Sequence, residues 1–223
     1  MWRDALLVAG KDLRIEARSK VAIGQVAPFA VMALFLFAFA LGPDRGPMSE
    51  GAPGLFWVAV LFTTVLAIQR SVSVESADEA RDGLRVSGLD PAGVFLGKTV
   101  SIAAQLLVLE AILVGGIVVL YGARVHSIGL VLGACALGTV GLAASGTLYG
   151  ALSAGIRVRE TLLPFLFLPL VAPILLSGTK VFQAAMAGGT PSQAAPWLRL
   201  LLAFDVIYVA LGVIIYGPIQ ESS

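Results

Sequence analysis

One cysteine and one histidine stand in 223 residues, and only 13% of the chain is charged. Each scarcity closes a class of function. Cys135, set in an apolar run, has no partner for a disulfide framework and no companions for a multi-cysteine metal site. His126 alone supplies neither an HExxH motif nor a Ser/His/Asp set, and no paired aspartates suggest an intramembrane hydrolase. His126 follows an apolar run in a short loop and reads as a solvated residue rather than a haem or metal ligand. Ordinary globular domains carry about 25% charged residues. The deficit here, with a net charge of +1, excludes a basic nucleic-acid surface.

What fills the space is hydrocarbon. The chain is 58% hydrophobic, with a mean hydropathy of +0.92. Six apolar stretches run over about 21–41, 52–68, 99–121, 128–153, 161–177 and 197–216. They are apolar on every face, without the period-two alternation of a barrel strand, so helices are expected. A span needs about 20 residues, so six leave no room for a soluble catalytic domain. The reading is an all-α polytopic membrane protein formed by one transmembrane domain, 1–223.

Eleven of the Lys and Arg residues fall on one side of this arrangement and four on the other. The rich side holds Arg3, Lys11, Arg14, Arg18 and Lys20, then Arg70, Arg81, Arg85 and Lys98, then Arg157 and Arg159. The positive-inside rule therefore places both termini in the cytoplasm. Ala38-Phe39-Ala40 has the look of a cleavage site, but the charge-mixed segment before it and the length of the apolar run favour an uncleaved first span.

Trp2, Leu6, Ala9 and Leu13 share one helical face in residues 1–20, with most of the basic residues away from it. This predicts an amphipathic helix in the cytoplasmic interface, serving as an anchor or a docking surface. The polar segment 70–98 is the longest in the chain. It carries Glu75, Asp78, Glu79, Arg81, Asp82 and Arg85 before Gly88 and Asp90-Pro91 turn it back to the membrane. A charge-dense helix of this kind suits contact with a cytosolic partner; the alternative is a solvated connector. Arg157, Arg159 and Glu160 form a smaller charged group, an anchor or a second cytoplasmic contact. Ala92-Gly93-Val94-Phe95-Leu96-Gly97-Lys98-Thr99 comes close to a P-loop. Position 92 is Ala where the motif needs Gly, and Asp90-Pro91 rather than a strand precedes it, so Lys98 is taken to mark the membrane boundary.

Two carboxylates, Glu110 and Asp205, interrupt apolar spans. Ionised carboxylates in hydrocarbon are costly, so each should face the bundle interior. They form either a substrate or switch site or an interhelical hydrogen bond, with Gln25, Gln105, Thr63 or Thr64 as candidate partners. Small residues four apart in the fourth span, among them Gly129/Gly133, Ala134/Gly138, Gly141/Ser145 and Gly146/Gly150, predict close helix packing. Pro164, Pro169 and Pro173 in the fifth span allow a hinged or re-entrant segment, or static kinks.

Together these residues resemble the haem exporter protein B family, the membrane permease of the system I cytochrome c maturation machinery. The resemblance is carried in order by five stretches: Lys11-Asp12-Leu13-Arg14-Ile15-Glu16-Ala17-Arg18; Trp57-Val58-Ala59 with Arg70-Ser71; Phe95-Leu96-Gly97-Lys98; Arg159-Glu160-Thr161-Leu162-Leu163-Pro164; and Leu201-Leu202-Ala203-Phe204-Asp205. It covers nearly the whole chain.

The resemblance implies an exporter-type, ABC-2-like permease of the bacterial inner membrane, itself non-catalytic, for haem export or delivery in cytochrome c biogenesis. Its implied partners are a cytosolic ABC ATPase subunit, haem-handling membrane subunits and a periplasmic haem chaperone. A homodimer or a pairing with another membrane subunit is expected. No cofactor is expected on this chain: ATP belongs to the partner, and haem is a possible cargo whose passage through this subunit the resemblance does not settle. The charged string after Arg70 does not closely match the family pattern, so ATPase contacts are placed only by region. An anionic midplane also suits haem propionates poorly, which gives a purely mechanical role equal standing. A permease for a lipid, drug or glycan, or a non-transporting scaffold of haem-handling subunits, are the alternative readings.

Overall fold

A computed structural model of the chain describes residues 1–19, 24, 26–41, 45–77, 88–153 and 159–222. Among these residues the architecture is all-helical, with seven α-helices: α1 (Trp2–Ser19), α2 (Ala27–Leu41), α3 (Arg45–Ala77), α4 (Pro91–Leu120), α5 (Ile128–Ser153), α6 (Arg159–Met186) and α7 (Pro191–Ser222). Five of them, α3 to α7, contain stretches long and apolar enough to cross a membrane. The first predicted span is represented by α2, whose 15 residues rise about 22 Å, short of a hydrocarbon core of about 30 Å.

Local sequence explains the helix ends. Asp90 caps α4, its carboxylate accepting the Ala92 amide at 3.1 Å, with Pro91 in the first turn where no donor is lost. At the start of α7, the Gln193 side chain accepts the Thr190 amide at 3.1 Å, half of a Thr-x-x-Gln capping box. That box starts α7 at Pro191, ahead of the apolar run that predicted it. At the end of α6, Gly188 takes φ 74° and the Gly189 amide reaches the Ala184 carbonyl at 2.8 Å, closing a Schellman turn. Helix α6 is continuous from Arg159 to Met186, so the prolines sit within one helix rather than in a re-entrant segment, and it outlasts the predicted stretch 161–177.

α5 is the hub. Residues 141–148 are all buried, on every face, as a central helix requires. Its glycines receive large side chains from neighbours rather than a neighbouring backbone. The Trp57 ring of α3 fills the space a Cβ would take at Gly138, and the same ring lies 2.5 Å from a Cβ position at Gly178 of α6. Below it, Ile68 occupies the notch at Gly146, and Val72 meets Gly150 at 3.1 Å. Phe56 stacks on Phe182 at 4.6 Å and meets Trp57 edge-on at 5.4 Å, joining α3 to α6. Gly129 has nothing within 4 Å, so small-residue spacing alone does not mark a contact.

Candidate functional site

The amphipathic segment is a helix, but it does not float on its apolar stripe. Ala5, Val8 and Ala9 are buried, an i, i+3, i+4 set that faces α4. The seat is made by Gly93 and Gly97. A Cβ on Gly93 would lie 2.7 Å from the Met1 carbonyl oxygen, and one on Gly97 would lie 2.6 Å from the Ala5 carbonyl oxygen. Here two helix backbones do approach closely, through a Gly-x-x-x-Gly pair. The near-P-loop segment is thus a helix–helix contact. Lys98 is buried beneath α1 at 4% exposure, with Asp12 the opposite charge acting on it, and does not stand at a wet boundary. Trp2 and Leu6, placed on the predicted face with Ala9, point outward at 72% and 75% exposure.

Ionic contacts fasten both ends of α1. The Met1 ammonium lies 3.2 Å from Asp4 and 3.3 Å from Asp90 at the start of α4. The hydrogen bond from this ammonium is the main reason the Asp4 carboxyl is held below its usual range; the same bond raises the ammonium above its own. At the other end Arg70 Nε of α3 donates to Glu16 Oε2 at 3.0 Å. The first helix therefore bridges α4 to α3, at the end of the bundle from which segment 70–98 departs.

Of the residues assigned to ATPase contact, Asp78, Glu79, Arg81, Asp82 and Arg85 lie outside the described residues, as does Arg157. Glu75 falls in the last turns of α3, and Arg159 and Glu160 in the first turn of α6.

The two intramembrane carboxylates are not one site. Thr139 of α5 donates to Glu110 Oε1 at 2.8 Å, with Cys135 one turn earlier on α5 beside the same carboxylate. Oε2 has no partner. Asp205 of α7 meets α5 at Gly141, where a Cβ would lie 2.5 Å from Oδ1; both carboxylate oxygens are buried without partners among the described residues. Thr139 and Gly141 point about 200° apart on the helix, so α5 stands between the acids. The expected partners are otherwise engaged. Thr63 and Thr64 both donate to the Val60 carbonyl at 2.7 Å, Gln105 reaches Ser101 at 3.5 Å, and Gln25 lies outside the described residues. Trp57 Nε1, one turn along α5 from Asp205, is a fourth buried polar atom without a partner among the described residues.

His126 has a structural task. Its Nδ1 donates to the Met186 carbonyl at 2.6 Å, while the His126 and Ser127 amides donate to the Ala185 carbonyl at 3.0 and 3.1 Å. The α4–α5 connection thereby satisfies carbonyls that the end of α6 would leave open. Among the described residues no cluster of three metal-ligating side chains occurs.

A family model described as CcmB protein matches residues 3–217. The chain is similar to the heme exporter protein B of Paracoccus denitrificans, 29% identical over 200 residues that cover 88% of this chain and 89% of the relative. It is similar to that of Pseudomonas aeruginosa, 27% identical with 88% of each chain covered. A third relative, heme exporter protein B of Haemophilus influenzae, is 30% identical with 81% of each covered. A match of this extent, over an all-helical chain with several membrane-length helices, places the protein in the CcmB family.

Proposed function

We propose that this chain is the permease subunit of an inner-membrane haem exporter serving c-type cytochrome biogenesis, and that it couples ATP hydrolysis on a separate cytosolic subunit to rearrangement of its helices. The observation that supports this most directly is the double fastening of α1. A helix seated on α4 at Gly93 and Gly97 and ion-paired to α3 through Glu16 and Arg70 can pass a push on its exposed face into two long helices at once. Trp2, Leu6 and Leu7 give that face an apolar surface, and the charged segment holding Glu75, Asp78, Glu79, Arg81, Asp82 and Arg85 leaves from the same end of the bundle.

In this reading both termini are cytoplasmic, the ATPase meets α1 and segment 70–98, and Arg157, Arg159 and Glu160 form a second contact. Haem is cargo. The relatives' printed name supports haem as the exported species, and family membership supports haem-handling membrane subunits and a periplasmic chaperone as partners. The buried acids suit mechanical transmission better than passage of a dianionic porphyrin, because among the described residues neither Glu110 nor Asp205 has a basic residue acting on it that could receive a propionate.

Gentle purification of the tagged protein from its host, with co-purifying chains identified by mass and haem by absorbance, tests the reading. Recovery of an ATPase with haem-handling subunits is expected. A solitary protein, or an ATPase without any cytochrome c maturation component, would count against haem export. Reversal of charge at Glu79 and Arg81 should lower ATPase stimulation while the complex still assembles.

A further inference from the structure

At the end of the bundle away from α1, the start of α3, the α4–α5 connection and the end of α6 line an open cavity of about 730 Å³. Its lining includes Pro53 of α3, which is seventeen residues, or about 25 Å of helix, from Arg70. The volume lies within the range of about 300–1,000 Å³ usual for small-molecule sites. Glu50, Arg124 and Gln183 give it polar groups; Pro53, Tyr121 and Met186 give it apolar walls.

The charges decide what fits. Glu50 and Arg124 line one cavity and both are exposed, yet among the described residues neither belongs to an ion pair. The cavity holds an anion and a cation apart. A dianionic ligand would gain from Arg124 and lose to Glu50, and a simple cation would do the reverse. A ligand with a separated anion and cation complements both. The setting adds a second constraint, since the cavity sits at the ends of helices long enough to cross a bilayer, the depth at which headgroups lie.

We propose that this cavity binds the zwitterionic headgroup of a phospholipid, its phosphate on Arg124 and its ammonium on Glu50, with Pro53, Tyr121 and Met186 against the first methylenes. Such a ligand ties α3, the α4–α5 connection and α6 together at the end opposite the α1 seat. The proposal is independent of the haem reading and stands or falls separately from it.

The test reconstitutes the whole chain in nanodiscs of mixed phosphatidylethanolamine and phosphatidylglycerol, re-extracts it and identifies retained lipid by native mass spectrometry. The wild type should retain phosphatidylethanolamine in preference. Glu50→Gln should cut that preference about threefold, because the ammonium contact is lost, and Arg124→Gln should lower retention of both lipids about threefold. Both side chains are exposed, and unchanged melting temperatures would show that the variants fold. Equal retention of the two lipids by wild type and variants would overturn the proposal. Preferential retention of phosphoethanolamine over the lipid when both are offered at equal concentration would overturn the lipid as source and leave a free zwitterion. Haemin quenching of tryptophan fluorescence that needs Arg124 and is indifferent to Glu50→Gln would also overturn it, making the cavity a cargo site.

Discussion

Arg70 of α3 donates from Nε to Glu16 of α1 at 3.0 Å, across 54 positions of sequence. The pair is partly shielded, with side chains 27% and 12% exposed. It turns the first helix from a membrane-surface segment into part of the bundle. Reversing either charge, Glu16→Arg or Arg70→Glu, should destabilise by about 1–2 kcal/mol, and the double reversal should recover most of the loss. A double-mutant cycle of melting temperatures in detergent checks this; additive losses would show that the pair carries no coupling.

The α1 seat should be intolerant of bulk. Gly97→Leu has to displace the Ala5 carbonyl and Val8, backbone and branched side chain that cannot swing aside. Overpacking of this kind costs about 1–3 kcal/mol, and here its outcome should be local release of α1. A cysteine introduced by Val8→Cys should react slowly with a thiol reagent in the parent and rapidly with Gly97→Leu present. The native Cys135 is buried and gives a low background. Gly10→Leu, with nothing within 4 Å of its Cβ position, is the neutral control.

Trp57→Ala should be among the most destabilising single changes, by about 3–5 kcal/mol, because the ring fills notches on α5 and α6 together. Gly178→Val should approach the same loss by expelling the ring. Thermal unfolding followed by tryptophan fluorescence reports both changes.

Thr139→Val keeps shape but removes the donor to Glu110, leaving both carboxylate oxygens short of that hydroxyl in a buried site. A loss of about 1–3 kcal/mol is expected, and Glu110→Leu combined with Thr139→Val should lose less than Thr139→Val alone. Melting temperatures of the three variants decide it.

The N-terminal contact should depend on pH at both limits. Asp4 titrates below its ordinary 3.8, so its contribution is present above that value and fades as pH falls through the lowered one. The Met1 ammonium titrates above its ordinary 8.0, so its contribution is complete below pH 8.0 and is lost as pH rises through the raised value. Amide hydrogen exchange of residues 2–9 should therefore be slowest between those limits. Asp4→Asn should remove the acid limb and soften the alkaline one, since the ammonium loses its strongest partner.

Much of the molecule was legible from its residues because lipid imposes long-range uniformity on a sequence. A helix that must satisfy its backbone in hydrocarbon reads as an apolar run, and five of those runs are membrane-length helices. The sequence signals for packing were weaker. The small-residue spacing of α5 suggested backbone approach, whereas Gly138, Gly146 and Gly150 serve as sockets for Trp57, Ile68 and Val72. The true backbone approach, at Gly93 and Gly97, lies in a segment whose Gly-Lys-Thr ending resembles a nucleotide motif. Four-residue spacing shows that a helix has a smooth stripe; it does not say what fills it.

The residues alone therefore determined composition, helicity, charge asymmetry and the isolation of Glu110 and Asp205 in apolar surroundings, because these follow from local order and the cost of polar groups in lipid. Only the tertiary structure decided that α5 separates those two acids, that Lys98 is covered by α1, and that Glu16 finds Arg70. Those relationships depend on which helix faces meet, and in a bundle apolar on nearly every face the sequence offers little contrast by which to choose.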